Sequence, residues 1–152
     1  MIIVNILGGL GNQMFQYAFA YSILDKKNTI VKLDIEDFNT YDLRKYELDI
    51  YNVSLDLASV DEINTLKYKQ ETLFERVVRM LKRTSSPLSE NYYKEADVPY
   101  GSKVYELNDD IYFQGYWQSE KYFLNYREAL LKEFRLENSL QRESKSYEEI
   151  CK

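Results

Sequence analysis

The hydrophobic pattern of the first 34 residues predicts a β-α-β unit. Residues 1–7 are nearly all apolar and are followed by glycine, which is typical of a strand buried on both faces of a parallel sheet. Residues 12–27 are apolar over most of a helical circumference, which predicts a buried helix with Asn12 as its N-cap. Residues 29–34 are rich in β-branched side chains and predict a second strand, parallel to the first after a right-handed crossover.

Beyond residue 34 the pattern is weaker and predicts shorter elements. Residues 35–57 show no regular spacing, whereas residues 58–69 and 71–83 have helical periodicity, with Ser59 in the cap region of the first of these helices. Residues 88–105 predict a loop or short extended pieces, and residues 111–115 predict a strand that ends in glycine. A last helix over residues 119–134 is predicted from four apolar residues on one face: Phe123, Tyr126, Leu130 and Phe134.

Composition indicates one ordinary soluble domain. Of the 152 residues, 45% are hydrophobic and 30% are charged, so the chain is able to bury a core of its own. We expect an α/β domain over residues 1–136, with a Rossmann-like parallel sheet flanked by helices. Residues 137–152 are polar and charged, and we expect them to be a tail or a severed interdomain linker.

Charge and residue usage exclude several functions. The net charge of −5 argues against a nucleic-acid partner, because such binding depends on neutralising phosphates. No apolar run approaches the roughly 20 residues that span a bilayer, and no secretory signal is evident, so we expect a cytoplasmic protein. With no histidine and the single cysteine Cys151, the sequence offers neither a zinc site nor a histidine-activated nucleophile, which leaves Asp and Glu as acid-base groups.

A glycine-rich segment follows the first predicted strand. Gly8, Gly9, Gly11, Asn12 and Gln13 stand where a parallel strand leads into a helix, a position at which backbone N–H groups and the helix dipole bind phosphate. The same glycines also suit a tight turn without a ligand. The segment lacks the third glycine of a dinucleotide fingerprint and the lysine of a P-loop, so the pattern alone decides neither interpretation.

The second candidate segment surrounds the only tryptophan. Gly115, Tyr116, Trp117 and Gln118 combine aromatic rings with an amide, which suits the apolar face and the hydroxyl groups of a sugar. The alternative is that they are core residues at the end of the sheet. The 15 tyrosines of the chain also allow two interpretations, a tyrosine-rich core and surface without a specific function, or a surface for sugar stacking or for an interface.

Two longer stretches carry a family resemblance: Gly8-Gly-Leu-Gly-Asn-Gln-Met-Phe-Gln-Tyr-Ala18 and Phe113-Gln-Gly-Tyr-Trp-Gln-Ser-Glu-Lys-Tyr-Phe123. They resemble the bacterial α-1,2-fucosyltransferases of glycosyltransferase family 11. The resemblance implies an inverting, metal-independent transfer of fucose from GDP-fucose to the 2-hydroxyl of a galactose-terminated glycan, in surface polysaccharide or lipopolysaccharide synthesis. It also implies a GT-B-like fold of two Rossmann-like domains, of which this chain resembles the N-terminal, acceptor-side one.

The resemblance covers only the first half of the family. Its donor-binding motif, His-x-Arg-Arg-x-Asp, is absent, since the sequence has neither histidine nor an Arg-Arg pair. We therefore expect an incomplete enzyme without a donor-binding domain, inactive on its own and inclined to self-associate. The resemblance places the glycine segment in the cleft near the donor and residues 115–118 on the acceptor side, and it leaves peripheral association with the inner face of the membrane open.

The catalytic base and two rival functions also stay open. Asp34, Asp37 and Glu120 are the candidate bases. One rival is a nucleotide-sugar or glycan-binding module without catalysis. The other is half of a nicotinamide-dependent oxidoreductase, which is favoured by two glycines of the fingerprint with Asp34 at the end of the second strand and disfavoured by Met14 in place of the third glycine.

Overall fold

A computed structural model describes residues 1–40, 43–96 and 100–136. Its centre is a sheet of four parallel strands in the order β2-β1-β4-β3, and the strands are β1 (Ile2–Asn5), β2 (Val31–Asp34), β3 (Tyr92–Lys94) and β4 (Ile111–Gln114). Ile2 of the central strand pairs with Val31 on one side and with Ile111 on the other. The predicted parallel α/β sheet is therefore confirmed, whereas the predicted tail over residues 137–152 lies outside the described residues.

In the described part of the chain, four α-helices accompany the sheet: α1 (Leu10–Lys27), α2 (Val60–Lys67), α3 (Leu73–Lys82) and α4 (Arg127–Glu133). The strand alternation sorts α1, α2 and α4 between the two faces of the sheet. Ile2 and Val4 belong to the core cluster that includes α1 and α4, whereas Ile3 packs on the opposite face with Ile63 and Leu66 of α2. The β1 strand is thus buried on both faces, as its sequence predicts.

Within the described residues, no helix has both the length and the apolar character needed to cross a membrane.

The α1 helix begins two residues before the start predicted from sequence. Gly9 is its N-cap, and the Gly9 carbonyl oxygen accepts from the backbone N–H groups of Asn12 and Gln13 at 2.9 and 3.1 Å. The prediction of Asn12 as N-cap was wrong, because glycine also serves at that position and the helical turn then already includes Asn12. The C-terminal end follows the usual rule, since Asn28 adopts the left-handed conformation with φ 48°.

The two middle helices begin at capping boxes. Ser59 and Glu62 exchange side-chain and backbone hydrogen bonds at the start of α2, which confirms the cap predicted there. Thr72 and Glu75 do the same at the start of α3. Both helices are shorter than their predicted ranges, because the cap residues Ser59 and Thr72 are themselves in extended conformation.

The predicted helix over residues 119–134 is divided into three pieces. Two short 3-10 helices, Glu120–Tyr122 and Leu124–Tyr126, precede α4. Phe123 separates the 3-10 helices because its backbone, at φ −134° and ψ 16°, lies outside the helical region. The predicted apolar face is nevertheless correct, since all four of its residues contact the core on the α1 side: Phe123, Tyr126, Leu130 and Phe134.

Candidate functional site

The two candidate segments meet at the carboxyl edge of the sheet. Gln118 Nε2 donates a hydrogen bond to Asn12 Oδ1 at 2.6 Å, although the two residues are 106 positions apart. Asn12 lies in the first turn of α1, which follows β1, and Gln118 follows β4. Parallel strands direct the loops that follow them to one edge, where open α/β sheets bind their ligands. This bond joins the first turn of α1 to the loop after β4 at that edge.

The buried side chain of Gln13 holds the glycine loop through hydrogen bonds to main chain. Gln13 Nε2 donates to the carbonyl oxygens of Gly8 at 2.9 Å and Lys45 at 2.8 Å, while its Oε1 accepts from the backbone N–H of Glu47 at 2.9 Å. The residue has no exposed surface. The Gln13 side chain therefore positions main chain around the cleft and offers no exposed surface of its own.

A second buried glutamine, Gln16, connects the loops after β1 and β4. Its Oε1 accepts from the backbone N–H of Leu7 at 2.9 Å, and its Nε2 donates to the carbonyl oxygen of Gly115 at 3.1 Å. Sequence reasoning missed this role. The signal in the sequence was an amide side chain within a helix that is apolar around most of its circumference. The structure shows that this amide is fully buried, where it needs hydrogen-bond partners.

The three glycines of the loop have different structural requirements. Gly8 has φ +80°, and a Cβ there would lie 2.8 Å from Asn12 Nδ2. A Cβ at Gly9 would meet the Arg44 side chain at 3.9 Å, whereas a Cβ at Gly11 would have no atom within 4 Å. The backbone therefore requires glycine at Gly8, and a requirement at Gly11 could come only from a ligand.

A carboxylate that follows β3 holds the turn after β4. Glu95 Oε2 accepts from the backbone N–H groups of Tyr116 and Trp117 at 2.7 and 2.9 Å. A Cβ at Gly115 would lie 2.4 Å from Glu95 Cβ, so only glycine fits there. Sequence analysis did not single out Glu95, because only the pairing of β3 with β4 brings this residue beside the turn.

The two aromatic residues of this turn face opposite environments. Trp117 is fully buried and stacks on Phe19 with ring centroids 3.9 Å apart, and its Nε1 has no hydrogen-bond partner among the described residues. Tyr116 is 47% exposed. Trp117 is thus a core residue here, and the ring that a sugar can reach is that of Tyr116.

Both oxygens of the Asp34 carboxylate are bonded to other groups of the protein. The Tyr112 hydroxyl donates to Asp34 Oδ2 at 2.5 Å, the Glu36 backbone N–H donates to Oδ1 at 2.8 Å, and Lys67 Nζ lies 3.7 Å from Oδ2. Burial raises the pKa of Tyr112 well above its usual range, and the neighbouring Asp34 charge adds to this effect. Because both oxygens of the fully buried Asp34 carboxylate are bonded, the site weighs against a ribose-binding role.

The other two candidate bases line different clefts. Asp37 is exposed on the wall of a cleft of about 360 Å³, which Gly8 and Tyr116 also line. Its Oδ2 accepts from Asn5 Nδ2 at 3.1 Å. Glu120 lies on a larger apolar cleft of about 470 Å³ beside Gly11.

Across residues 1–40, 43–96 and 100–136, no cluster of three or more metal-ligating side chains is present.

Comparison with known proteins finds glycosyltransferases. An alpha-1,2-colitosyltransferase of Escherichia coli is 30% identical over 134 residues, which cover 86% of this chain and 43% of that protein. The O-antigen biosynthesis glycosyltransferase WbnK of Escherichia coli is 29% identical over 158 residues, which cover 88% of this chain and 47% of that protein. The chain thus spans less than half the length of these two relatives. No family model matches the chain, and no solved structure matches it significantly.

The chain is therefore similar to glycosyltransferases over most of its length. The names of both relatives agree on sugar transfer, and one of them names O-antigen biosynthesis. The similarity supports a role in glycosyl transfer without selecting a sugar.

Proposed function

We propose that the chain is the acceptor-side, N-terminal domain of an inverting, GT-B-like glycosyltransferase. The whole enzyme would move fucose from GDP-fucose to the 2-hydroxyl of a galactoside without a metal. It would do so on the cytoplasmic side of the membrane, in surface polysaccharide synthesis. The observation that carries the proposal is the similarity to two glycosyltransferases across most of the chain. The cleft lined by Gly8, Asp37 and Tyr116 supports it, because it places a carboxylate and an aromatic ring beside a glycine loop.

In this proposal the exposed groups after β4 bind the acceptor. Tyr116 offers its ring to the apolar face of galactose, as aromatic side chains commonly do in sugar sites. Gln118 is exposed, and its bond to Asn12 fixes its amide beside the glycine loop. Trp117 and Glu95 act through these residues, since they fix the backbone of the turn.

Asp37 is the base that the geometry favours. It would take the proton from the galactose 2-hydroxyl while that oxygen bonds to the anomeric carbon of fucose and GDP leaves with the electron pair of the broken C–O bond. Asn5 holds the Asp37 carboxylate at 3.1 Å. The charge that develops on the leaving diphosphate would be compensated by a second domain, because the His-x-Arg-Arg-x-Asp motif is absent from this sequence.

A second transferred sugar, colitose, is favoured by the name of one relative, an alpha-1,2-colitosyltransferase. Colitose is fucose without its 3-hydroxyl, so the two donors differ by one polar group. A site that hydrogen-bonds this hydroxyl discriminates strongly against the sugar that lacks it. Parallel assays with the two GDP-sugars decide between them.

Ligand binding tests the acceptor-side assignment with the 152-residue chain. Saturation-transfer NMR with methyl β-galactoside and NADH as separate probes is expected to show galactoside binding and no NADH binding. Tyr116→Ala should weaken galactoside binding at least about tenfold, equivalent to about 1.4 kcal/mol. Gln70→Ala, at an exposed position outside the clefts, is the control and should bind as the parent does. Absence of galactoside binding contradicts the assignment, and NADH binding favours the oxidoreductase.

Turnover measurements test two parts of the proposal, the inactivity of this chain alone and the role of Asp37 as the base. The 152-residue chain with either GDP-sugar and a galactoside is expected to release no GDP over multiple acceptor-dependent turnovers. In a polypeptide that also carries the donor motif, Asp37→Asn should lower kcat at least about 100-fold with little change in KM for the acceptor. The exposed neighbour Glu36 supplies the control Glu36→Gln, which should leave kcat unchanged. Equal losses in both variants would remove Asp37 as the base.

A further inference from the structure

Residues 68–88 form an arm that carries α3 outside both core clusters. At its base Tyr68 bridges Leu88, the Lys69 N–H donates to the Pro87 carbonyl oxygen at 2.9 Å, and no residue of α3 is buried. Five large apolar side chains of the helix are exposed by 48 to 81%: Leu73, Phe74, Val77, Met80 and Leu81. These five residues are the apolar face of α3.

The apolar face forms one continuous strip. At 100° per residue, its five members fall within about 120° of the helix circumference, from Met80 on one margin to Phe74 on the other. Arg76 borders the strip beside Met80, and Lys82 lies about 80° beyond Phe74, on the polar face of the helix. Basic side chains therefore stand beside one margin of the strip and on the polar face, from which their long stems can reach past an apolar surface to a polar one.

The charge of this helix is opposite to that of the chain. Residues 73–83 carry four cations, Arg76, Arg79, Lys82 and Arg83, against the single carboxylate Glu75, whereas the whole chain has a net charge of −5. Arg79 is bound to Glu71 at 2.8 Å, and the other three cations are exposed. The exposed face of the arm is thus both apolar and cationic.

We propose that α3 is an interfacial helix that docks on the surface of an anionic lipid bilayer. A strip of Leu, Phe, Val and Met with cations beside it and on the polar face is the arrangement by which amphipathic helices enter the headgroup boundary of charged membranes. A second copy of the chain fits this face poorly, because face-to-face packing would bring two α3 helices of net positive charge together. The inference stands on α3 alone and does not depend on sugar transfer.

Vesicle flotation with the 152-residue chain tests the proposal. Vesicles of phosphatidylglycerol mixed with phosphatidylcholine are expected to bind the chain at least about tenfold more tightly than vesicles of phosphatidylcholine alone, and binding should weaken with added salt. The double variant Phe74→Ser, Leu81→Ser should lose at least about tenfold in affinity for the anionic vesicles. Ile30→Ser, which changes an apolar residue that is 63% exposed outside the arm, is the matched control and should bind as the parent does.

A second variant separates the two contributions. Arg76→Gln with Lys82→Gln should remove most of the preference for anionic vesicles and leave the apolar face intact. Because α3 buries no residue, all these variants should keep the melting temperature of the parent, which shows that they fold. Failure of the chain to bind anionic vesicles overturns the proposal, as does equal binding by the Phe74→Ser, Leu81→Ser variant. A dimer that this variant dissociates, without any lipid binding, also overturns it and assigns the face to a second copy.

Discussion

The α1 and α3 helices have nearly opposite relations to the rest of the chain. Eight of the 18 residues of α1 are buried, and two of these, Gln13 and Gln16, bond to main chain far away in sequence. None of the 10 residues of α3 is buried, and its defining polar contact is the local exchange between Thr72 and Glu75. Tertiary packing therefore stabilises α1, whereas α3 depends on its own cap and on whatever covers its apolar face, since short isolated helices are marginal in water.

Gln16→Leu is expected to have the largest effect, because it removes the link between the loops after β1 and β4 at nearly constant volume. The Leu7 N–H and the Gly115 carbonyl, which are partly buried, would both lose a hydrogen-bond partner. At roughly 2 kcal/mol for each unsatisfied group, the free energy of unfolding should fall by about 4 kcal/mol. Urea denaturation measures the loss, and Gln70→Leu at an exposed position serves as the control. A loss similar to that of the control would mean that the two loops hold together without Gln16.

Gly115→Ala and Gly11→Ala compare a crowded glycine with an open one. The new Cβ at Gly115 would lie 2.4 Å from Glu95 Cβ, so backbone must move, which should cost about 3 kcal/mol. The Cβ at Gly11 would have no atom within 4 Å, and alanine in the first turn of α1 should stabilise the chain by about 0.5 kcal/mol. Thermal melting of the two variants should therefore shift in opposite directions. A destabilised Gly11→Ala would show that the first turn needs glycine for its own backbone.

The fold near α1 was largely predictable because each of its elements has a strong local pattern. An unbroken apolar run predicts β1, and a helix that is apolar over most of its circumference predicts α1. The cap at Ser59 was readable from its polar sequence alone. The short strand β3 was predicted only as part of a loop or of short extended pieces, because three residues that pair along one edge carry too little pattern to be located.

The candidate site was predictable only as two segments. Their residue types indicated phosphate or sugar binding, but the Asn12–Gln118 bond is a tertiary contact that no local pattern contains. The same limit applies to Trp117, since an aromatic residue next to a glycine is equally compatible with a core position and a sugar site. Asp37 was distinguished from Asp34 only by exposure, which depends on the side chains that later segments bring to the sheet.

Removing the same type of cap from a packed helix and from an exposed one tests the contrast directly. Ser59→Ala should lower the free energy of unfolding by about 1 kcal/mol, because α2 packs Ile63 and Leu66 into the core. Thr72→Ala removes a matching cap from α3, but it should reduce amide protection only within α3 and leave the melting temperature unchanged. Thermal melting and hydrogen exchange measure the two effects. Equal shifts in melting temperature would show that α3 is coupled to the core after all.

The smallest effect expected is a difference in acid sensitivity between the two capping-box glutamates. The ammonium of Lys32, 2.7 Å from Glu62 Oε1, and the Ser59 backbone N–H lower the pKa of Glu62 from 4.5 to about 2. A carboxyl group with a lowered pKa stabilises the fold above pH 4.5, and that contribution is lost as the pH falls toward about 2. Glu62→Gln keeps the box geometry without the charge, so its melting temperature should fall less than that of the parent over this interval.

Glu75 provides the comparison on α3. The Thr72 backbone N–H and hydroxyl lower the pKa of Glu75 as well, but α3 buries no residue. Protonation of Glu75 should therefore loosen α3 without unfolding the core, and Glu75→Gln should melt in parallel with the parent across the same pH range. If Glu62→Gln also follows the parent at every pH, the charge of Glu62 adds nothing to the stability of the packed helix. The contrast between α2 and α3 would then rest on apolar burial alone.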